Sequence, residues 1–150
     1  MTEIRKVTPD DLVRVAEIEL FNYRLNFYPI FRNDPFYFDE LRTDRVVQRL
    51  MQDPGTLENV YVYDDGTVKG FLRVNDGEIE KLFVEPVLHG RGIGARLLEF
   101  AVKEKQARRL WVLEKNPRAI RFYERGGFVR TGEKRPEEDT DEFLLLMEKR

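Results

Sequence analysis

Apolar positions along the chain fall into two spacings, one suited to helices and the other to strands. Leu12, Val15, Ile18, Phe21 and Leu25 recur every three or four residues and predict a helix with those side chains inward. Thr8-Pro9-Asp10-Asp11 precedes them as a start signal, with Thr8 as cap, Pro9 in the first turn and Asp11 closing a capping box. Residues 3–7 read as a short first strand. A second helix is expected over about 44–52, with Val46, Val47, Leu50 and Met51 inward and Asp53-Pro54-Gly55 as its stop. Between these helices lies an aromatic stretch, Phe27, Tyr28, Phe31, Phe36, Tyr37 and Phe38. Pro29 and Pro35 within it argue against one continuous helix.

The spacing then shortens. Residues 59–63 are rich in strand formers, Asp64-Asp65-Gly66 is a hairpin turn, and 67–74 return. Asn75-Asp76-Gly77 turns again, and residues 78–84 make a third strand. A helix is expected over roughly 92–106, a strand over 110–113, a short helix over 117–125 and strands over 128–131 and 142–147. The charged stretch 133–141 reads as a solvated loop. The predicted order is β-α-α-β-β-β-α-β-α-β-β, an α/β fold whose central, mostly antiparallel mixed sheet has helices on both faces. Residues 1–150 are expected to form one domain.

Composition narrows the chemistry. A hydrophobic share of 41% and a charged share of 36% describe an ordinary globular chain. The net charge of −2 argues against a general nucleic-acid footprint. No cysteine is present, so disulfides, thiolate metal sites and a cysteine nucleophile are excluded. The one histidine, His89, excludes a multi-histidine metal site within the chain. The N-terminus shows no apolar signal core and no apolar run is long enough to span a bilayer, so no membrane partner and a cytoplasmic location are expected.

The most informative stretch is Val84-Glu85-Pro86-Val87-Leu88-His89-Gly90-Arg91-Gly92-Ile93-Gly94-Ala95. A strand stops at Pro86, three glycines follow within five residues, and a helical pattern begins at once. Free amides and the positive end of a helix dipole converge at such a turn and suit a phosphate. A P-loop would carry lysine and then serine or threonine where Ala95 and Arg96 stand. The glycine spacing also differs from the GxGxxG of dinucleotide folds. Taken alone, the glycines are equally compatible with a tight turn and nothing more.

His89-Gly90-Arg91-Gly92-Ile93-Gly94 resembles the Gln/Arg-x-x-Gly-x-Gly/Ala signature of the GNAT superfamily of acyl-CoA N-acyltransferases. His89 stands where glutamine or arginine is commoner, but a main-chain cradle does not depend on that side chain. A second block, Asn116-Pro117-Arg118-Ala119-Ile120-Arg121-Phe122-Tyr123-Glu124-Arg125-Gly126-Gly127-Phe128, is similar to the family's Asn-x-x-Ala-x-x-x-Tyr-x-x-x-Gly-Phe. The resemblance covers nearly the whole chain and implies acetyl-CoA as cosubstrate, with no metal. It implies that His89, Gly90, Arg91, Gly92, Ile93, Gly94 and Ala95 cradle the pyrophosphate. Asn116 would bond the pantetheine and Tyr123 would serve as general acid toward the departing thiolate.

The resemblance further implies that strand 78–84 splays from strand 110–113, so that Leu82, Phe83 and Val84 offer backbone contacts to the pantetheine. Period-two alternation places Glu78, Glu80 and Leu82 on one face. The resemblance implies a glutamate of this strand as base, Glu78 matching that position best and Glu80 lying one step along the same face, with salt bridging to Lys81 or Arg73 as the plainer alternative. Phe27, Tyr28 and Phe31 are candidates for an acceptor pocket, with cation–π contact to an amine; core packing is the plainer role for each. The acceptor stays open among a polyamine or other small amine, an amino acid and a protein amine. A homodimer is common in the resembled family. The rival reading is a non-catalytic acyl-CoA sensor on the same fold, against which the retention of both Asn116 and Tyr123 speaks.

Overall fold

A computed structural model describes residues 3–150. In chain order the elements are β1 (Ile4–Lys6), α1 (Leu12–Asn22), α2 (Tyr28–Phe31), α3 (Thr43–Gln52), α4 (Gly55–Asn59), β2 (Val60–Asp64), β3 (Val68–Asn75), β4 (Glu78–Val84), α5 (Ile93–Lys105), β5 (Arg109–Leu113), α6 (Pro117–Arg125), β6 (Phe128–Pro136) and β7 (Phe143–Lys149). The π-helical turn Tyr23–Phe27 runs on into α2 through Pro29, the chain leaves the helix at Arg32 with a φ of 51°, and a second π-helical turn follows over Pro35–Glu40, so the aromatic stretch is not one continuous helix although Pro29 does not break it.

The seven strands form one sheet in the order β1-β2-β3-β4-β5-β7-β6. All neighbours pair antiparallel except β4 and β5, which are parallel. This is the mixed, mostly antiparallel sheet expected from the sequence. The β3–β4 turn is tight because Asp76 and Gly77 both take positive φ, 50° and 79°, the backbone a two-residue hairpin favours.

Each face of the sheet buries its own apolar cluster. Leu72, Val74, Ile79, Leu110, Val112 and Met147 lie under α5 and α6, against Leu97, Leu98, Ala101 and Ile120. Val60, Val62 and Phe71 lie on the other face, against Leu12, Val15 and Ile18 of α1 and Val46 and Leu50 of α3. At the start of α1, Asp11 accepts the Thr8 amide at 2.8 Å and the Thr8 hydroxyl at 3.0 Å. Arg5 grips the same carboxylate at 2.8 and 3.0 Å and holds it down at about 2.

Three expected inward side chains point out instead. Phe21 is 41%, Leu25 49% and Met51 69% exposed. At about 100° per residue, Phe21 lies opposite Leu12. The buried line of α1 runs through Leu12, Val15, Ala16, Glu19 and Asn22, two of them polar, so hydrophobicity alone misplaces the face.

The stretch expected as a loop over 133–141 is also corrected. β6 continues through it to Pro136, pairing Lys134 with Leu145 and Arg135 with Leu144 after a register shift following Arg130. The true loop is residues 137–142. β6 is an edge strand with charged, exposed positions, which is how such edges are kept from pairing further. It therefore carries no alternation to read.

Candidate active site

The site begins where the sheet opens. β4 and β5 are in register only at Glu78 with Arg109 and Ile79 with Leu110. Beyond that point β5 stays with β7 while β4 stays with β3, and the two diverge. The expected splaying is present. A cleft of about 860 Å³ runs through the opening. Lys81 and Phe83 line it from the face of α1, with Asn22, Asn26 and Phe27, whereas Leu82 and Val84 line it from the face of α5 and α6.

A bulge rearranges β4. Arg73 pairs with Lys81 and Val74 with Ile79, which leaves Glu80 without a partner on β3. The extra residue breaks the period of two. Ile79 thus joins Leu82 and Val84 on the α5 face, while Glu78 shares the opposite face with Lys81 and Phe83. The expected common face of Glu78, Glu80 and Leu82 does not exist. Glu78 sits at the closed end, 3.5 Å from Arg109, outside the cleft lining. Glu80 lines the cleft and takes a hydrogen bond from Arg73 at 3.1 Å.

The direction of the β4 amides follows from one bond. Glu85 N–H reaches Lys69 O across β3 at 2.8 Å. Backbone groups alternate along a strand, so Phe83 also faces β3. Leu82 and Val84 turn their N–H and C=O groups to the open edge.

The glycine turn has the geometry a pyrophosphate needs. Gly90 and Gly92 adopt φ of 83° and 84°, and a Cβ added at either would meet nothing within 4 Å. Gly92 caps α5 with no side chain, and the first helical bond is Arg96 N–H to Gly92 O at 3.1 Å. The amides of Ile93, Gly94 and Ala95 are thereby left without a partner among the described residues and stand at the positive end of the helix dipole. Gly94 is small for a different reason: a Cβ there would lie 3.2 Å from Phe122 Cε1, a tight contact where α5 approaches α6 closely. Of residues 89–95, all but Arg91 line the cleft.

On α6, Asn116 is the N-cap, its Oδ1 accepting Ala119 N–H at 3.2 Å, and Tyr123 lies one face along the same helix. Both line the cleft. Tyr123 packs against the rings of Phe122 at 5.1 Å and Phe128 at 6.1 Å, and burial pushes its phenol well above the usual range. No described residue hydrogen-bonds its hydroxyl. Of the aromatic candidates, Phe27 lines the cleft beside Phe83. Tyr28 and Phe31 lie outside the lining and pack against the second cluster, with the Tyr28 hydroxyl donating to Asp34 at 2.6 Å.

Sequence reasoning passed over Glu19, Asn22, Asn26 and Lys81. Glu19 is 0% exposed yet charged, held by Lys81 and Arg49 at 2.5 Å each. A carboxylate on the buried line of α1 was the available signal, since a charge there needs partners.

Residues 56–130 match the acetyltransferase (GNAT) domain family. The chain belongs to the GNAT acetyltransferases. It is 33% identical over 130 residues to an uncharacterized N-acetyltransferase of Archaeoglobus fulgidus, covering 81% of this chain and 88% of that protein. It is 34% identical over 73 residues to the peptidyl-lysine N-acetyltransferase YjaB of Salmonella typhimurium, covering 49% of this chain and 50% of that one. Its fold matches the PaiA N-acetyltransferase of Thermoplasma acidophilum, solved with coenzyme A, at a TM-score of 0.68 and 24% identity over 99% of this chain and 98% of that one. The chain is therefore an acetyl-CoA-dependent acetyltransferase, and its open amides fit the coenzyme. No helix among the described residues is long and apolar enough to cross a membrane.

Proposed function

We propose that this GNAT enzyme moves the acetyl group of acetyl-CoA to a primary amine, the amine attacking directly in a ternary complex with no acyl-enzyme. The observation that carries this reading is the cleft itself. It passes through the sheet, with the coenzyme cradle on the α5 face and a separate wall from α1 on the other, so two substrates meet at the parted strands.

The acetyl thioester supplies an activated carbonyl. In this reading the amides of Ile93, Gly94 and Ala95 hold the pyrophosphate, Asn116 bonds the pantetheine, and Leu82 and Val84 N–H groups face it along the open edge. One of those amides polarises the carbonyl as charge develops on its oxygen. Tyr123 keeps its proton throughout the neutral range, because a raised phenol titrates only at still higher pH, and so remains able to protonate the thiolate.

The acceptor must first lose a proton. An alkylamine of pKa about 10.4 is neutral in about one molecule of 2,500 at pH 7, a cost of roughly 4.6 kcal/mol. Glu80, on the bulge and in the cleft lining, is the better placed base; Glu78 is held by Arg109 at the closed end. Positioning both substrates supplies roughly 7–11 kcal/mol, more than the about 10²–10⁴ in rate that a single positioned acid or base contributes. Phe27 and Phe83 form the apolar wall on the acceptor side. The partial relative named for peptidyl-lysine makes a lysine side chain the first acceptor to assay, beside polyamines and free amino acids.

The test is release of free thiol from acetyl-CoA with and without each amine. Amine-dependent release with an acetylated product is expected. Binding of acetyl-CoA without release for any amine would instead establish the sensor reading.

A further inference from the structure

The carbonyl of Val84, the last residue of β4, is where α1 and the glycine turn meet. It accepts Asn22 Nδ2–H at 2.8 Å and a hydrogen bond from His89 Nε2 at 2.9 Å. A carbonyl only accepts, so Nε2 carries the hydrogen. The same peptide plane donates Glu85 N–H to Lys69 O at 2.8 Å. One peptide is thus pinned by α1, by the turn and by β3 at once, at the point where the chain leaves the sheet for the coenzyme cradle.

Asn22 is 1% exposed and all its polar atoms are engaged. Its second hydrogen goes to Ile18 O at 2.8 Å and its Oδ1 receives Asn26 Nδ2 at 3.4 Å. It stands where α1 changes to the π-helical turn. Packing does not call for an amide there: its neighbours on the buried line are apolar apart from Glu19, and burying an amide is unfavourable unless it is bonded. Asn26, Asn22 and His89 all line the cleft, in a row from the acceptor wall to the cradle.

We propose that Asn22 is a positioning residue that, through the Val84 carbonyl and His89, sets the direction in which the glycine turn leaves β4 and ties it to the acceptor-side helix. The side chain of His89 then acts as a strut on the sheet. This rests on the coenzyme lying against residues 90–95, but not on which amine is acetylated.

The test is coenzyme affinity by calorimetry, read beside the melting temperature of each variant. Asn22→Leu keeps a similar shape and loses the bonds. It is expected to weaken acetyl-CoA binding about fivefold to tenfold, the worth of one good hydrogen bond, while the melting temperature holds or rises. His89→Ala is expected to weaken binding similarly, and His89→Gln, whose amide still donates, to recover it to within twofold. As links in series, the two losses combined should be no larger than about the greater one alone. A folded Asn22→Leu protein that binds as the wild type does, or losses that multiply, would overturn the inference. If Asn22→Leu does not fold, equal loss in His89→Gln and His89→Ala overturns it. A wild-type protein giving no heat would overturn the coenzyme placement as well.

Discussion

The two walls of the cleft are built from different materials. The coenzyme wall, from β4 through α6, presents main-chain amides: Leu82 and Val84 along the open edge, Ile93 to Ala95 at the head of α5. The acceptor wall, from α1 through the aromatic turns, presents side chains, with Asn22, Asn26, Phe27 and a fully buried Glu19 behind Lys81. A wall of amides constrains sequence only through glycines and one cap, and any side chain elsewhere suffices. A wall of side chains can be rebuilt one residue at a time, and under the proposed function it is the wall that would select the amine.

Substitutions on each wall should therefore fail differently. The largest effect is expected from Tyr123→Phe, which removes a proton donor and leaves packing intact. Turnover should fall by about 10²–10⁴ while acetyl-CoA affinity stays within twofold. Turnover near wild type would remove Tyr123 from the mechanism.

Glu19→Gln comes next. It leaves Lys81 and Arg49 facing each other with no carboxylate between them, and breaking a buried pair in this way typically costs about 3–5 kcal/mol. Because Arg49 is half exposed, the loss in a denaturant titration should lie near the lower end. Coenzyme affinity of the folded fraction should be retained. If it collapsed instead, the separation between the walls would be wrong.

Gly92→Val is the matching change on the other wall. Its φ of 84° costs a branched side chain roughly 1–2 kcal/mol, a smaller loss of stability than at Glu19. Acetyl-CoA affinity should fall about tenfold, read by calorimetry, as the cradle distorts. A variant that lost stability but kept affinity would show that the turn can relax without harm.

The same contrast explains what the sequence reveals. The glycine turn, α6 and its cap Asn116 are readable because backbone needs map onto residue type: positive φ at Gly90 and Gly92, close approach at Gly94, a side-chain oxygen at the start of α6. Helix 117–125 falls at the expected residues for this reason. The bulge at Glu80 is unreadable because nothing in Glu78-Ile79-Glu80-Lys81-Leu82 marks an inserted residue. It reverses the face of Glu78 all the same. On α1, Glu19 falls on the line of Leu12 and Val15 and so gives a signal, but what holds it and Asn22 shows only once partners thirty or more positions away, Arg49, Lys81 and Val84, are folded against them. Charge at the outer strand hides β6 in the same manner.

That outer strand has a consequence for how molecules of this protein meet. At one end of the sheet β1 is only three residues long, too short to template a neighbour. At the other, β6 breaks its register after Arg130 and displays Lys134 and Arg135. Neither rim invites another copy to continue the ribbon. Should two molecules pair, as the family resemblance leads one to expect, the outward Phe21, Leu25 and Met51 offer an apolar surface away from both rims.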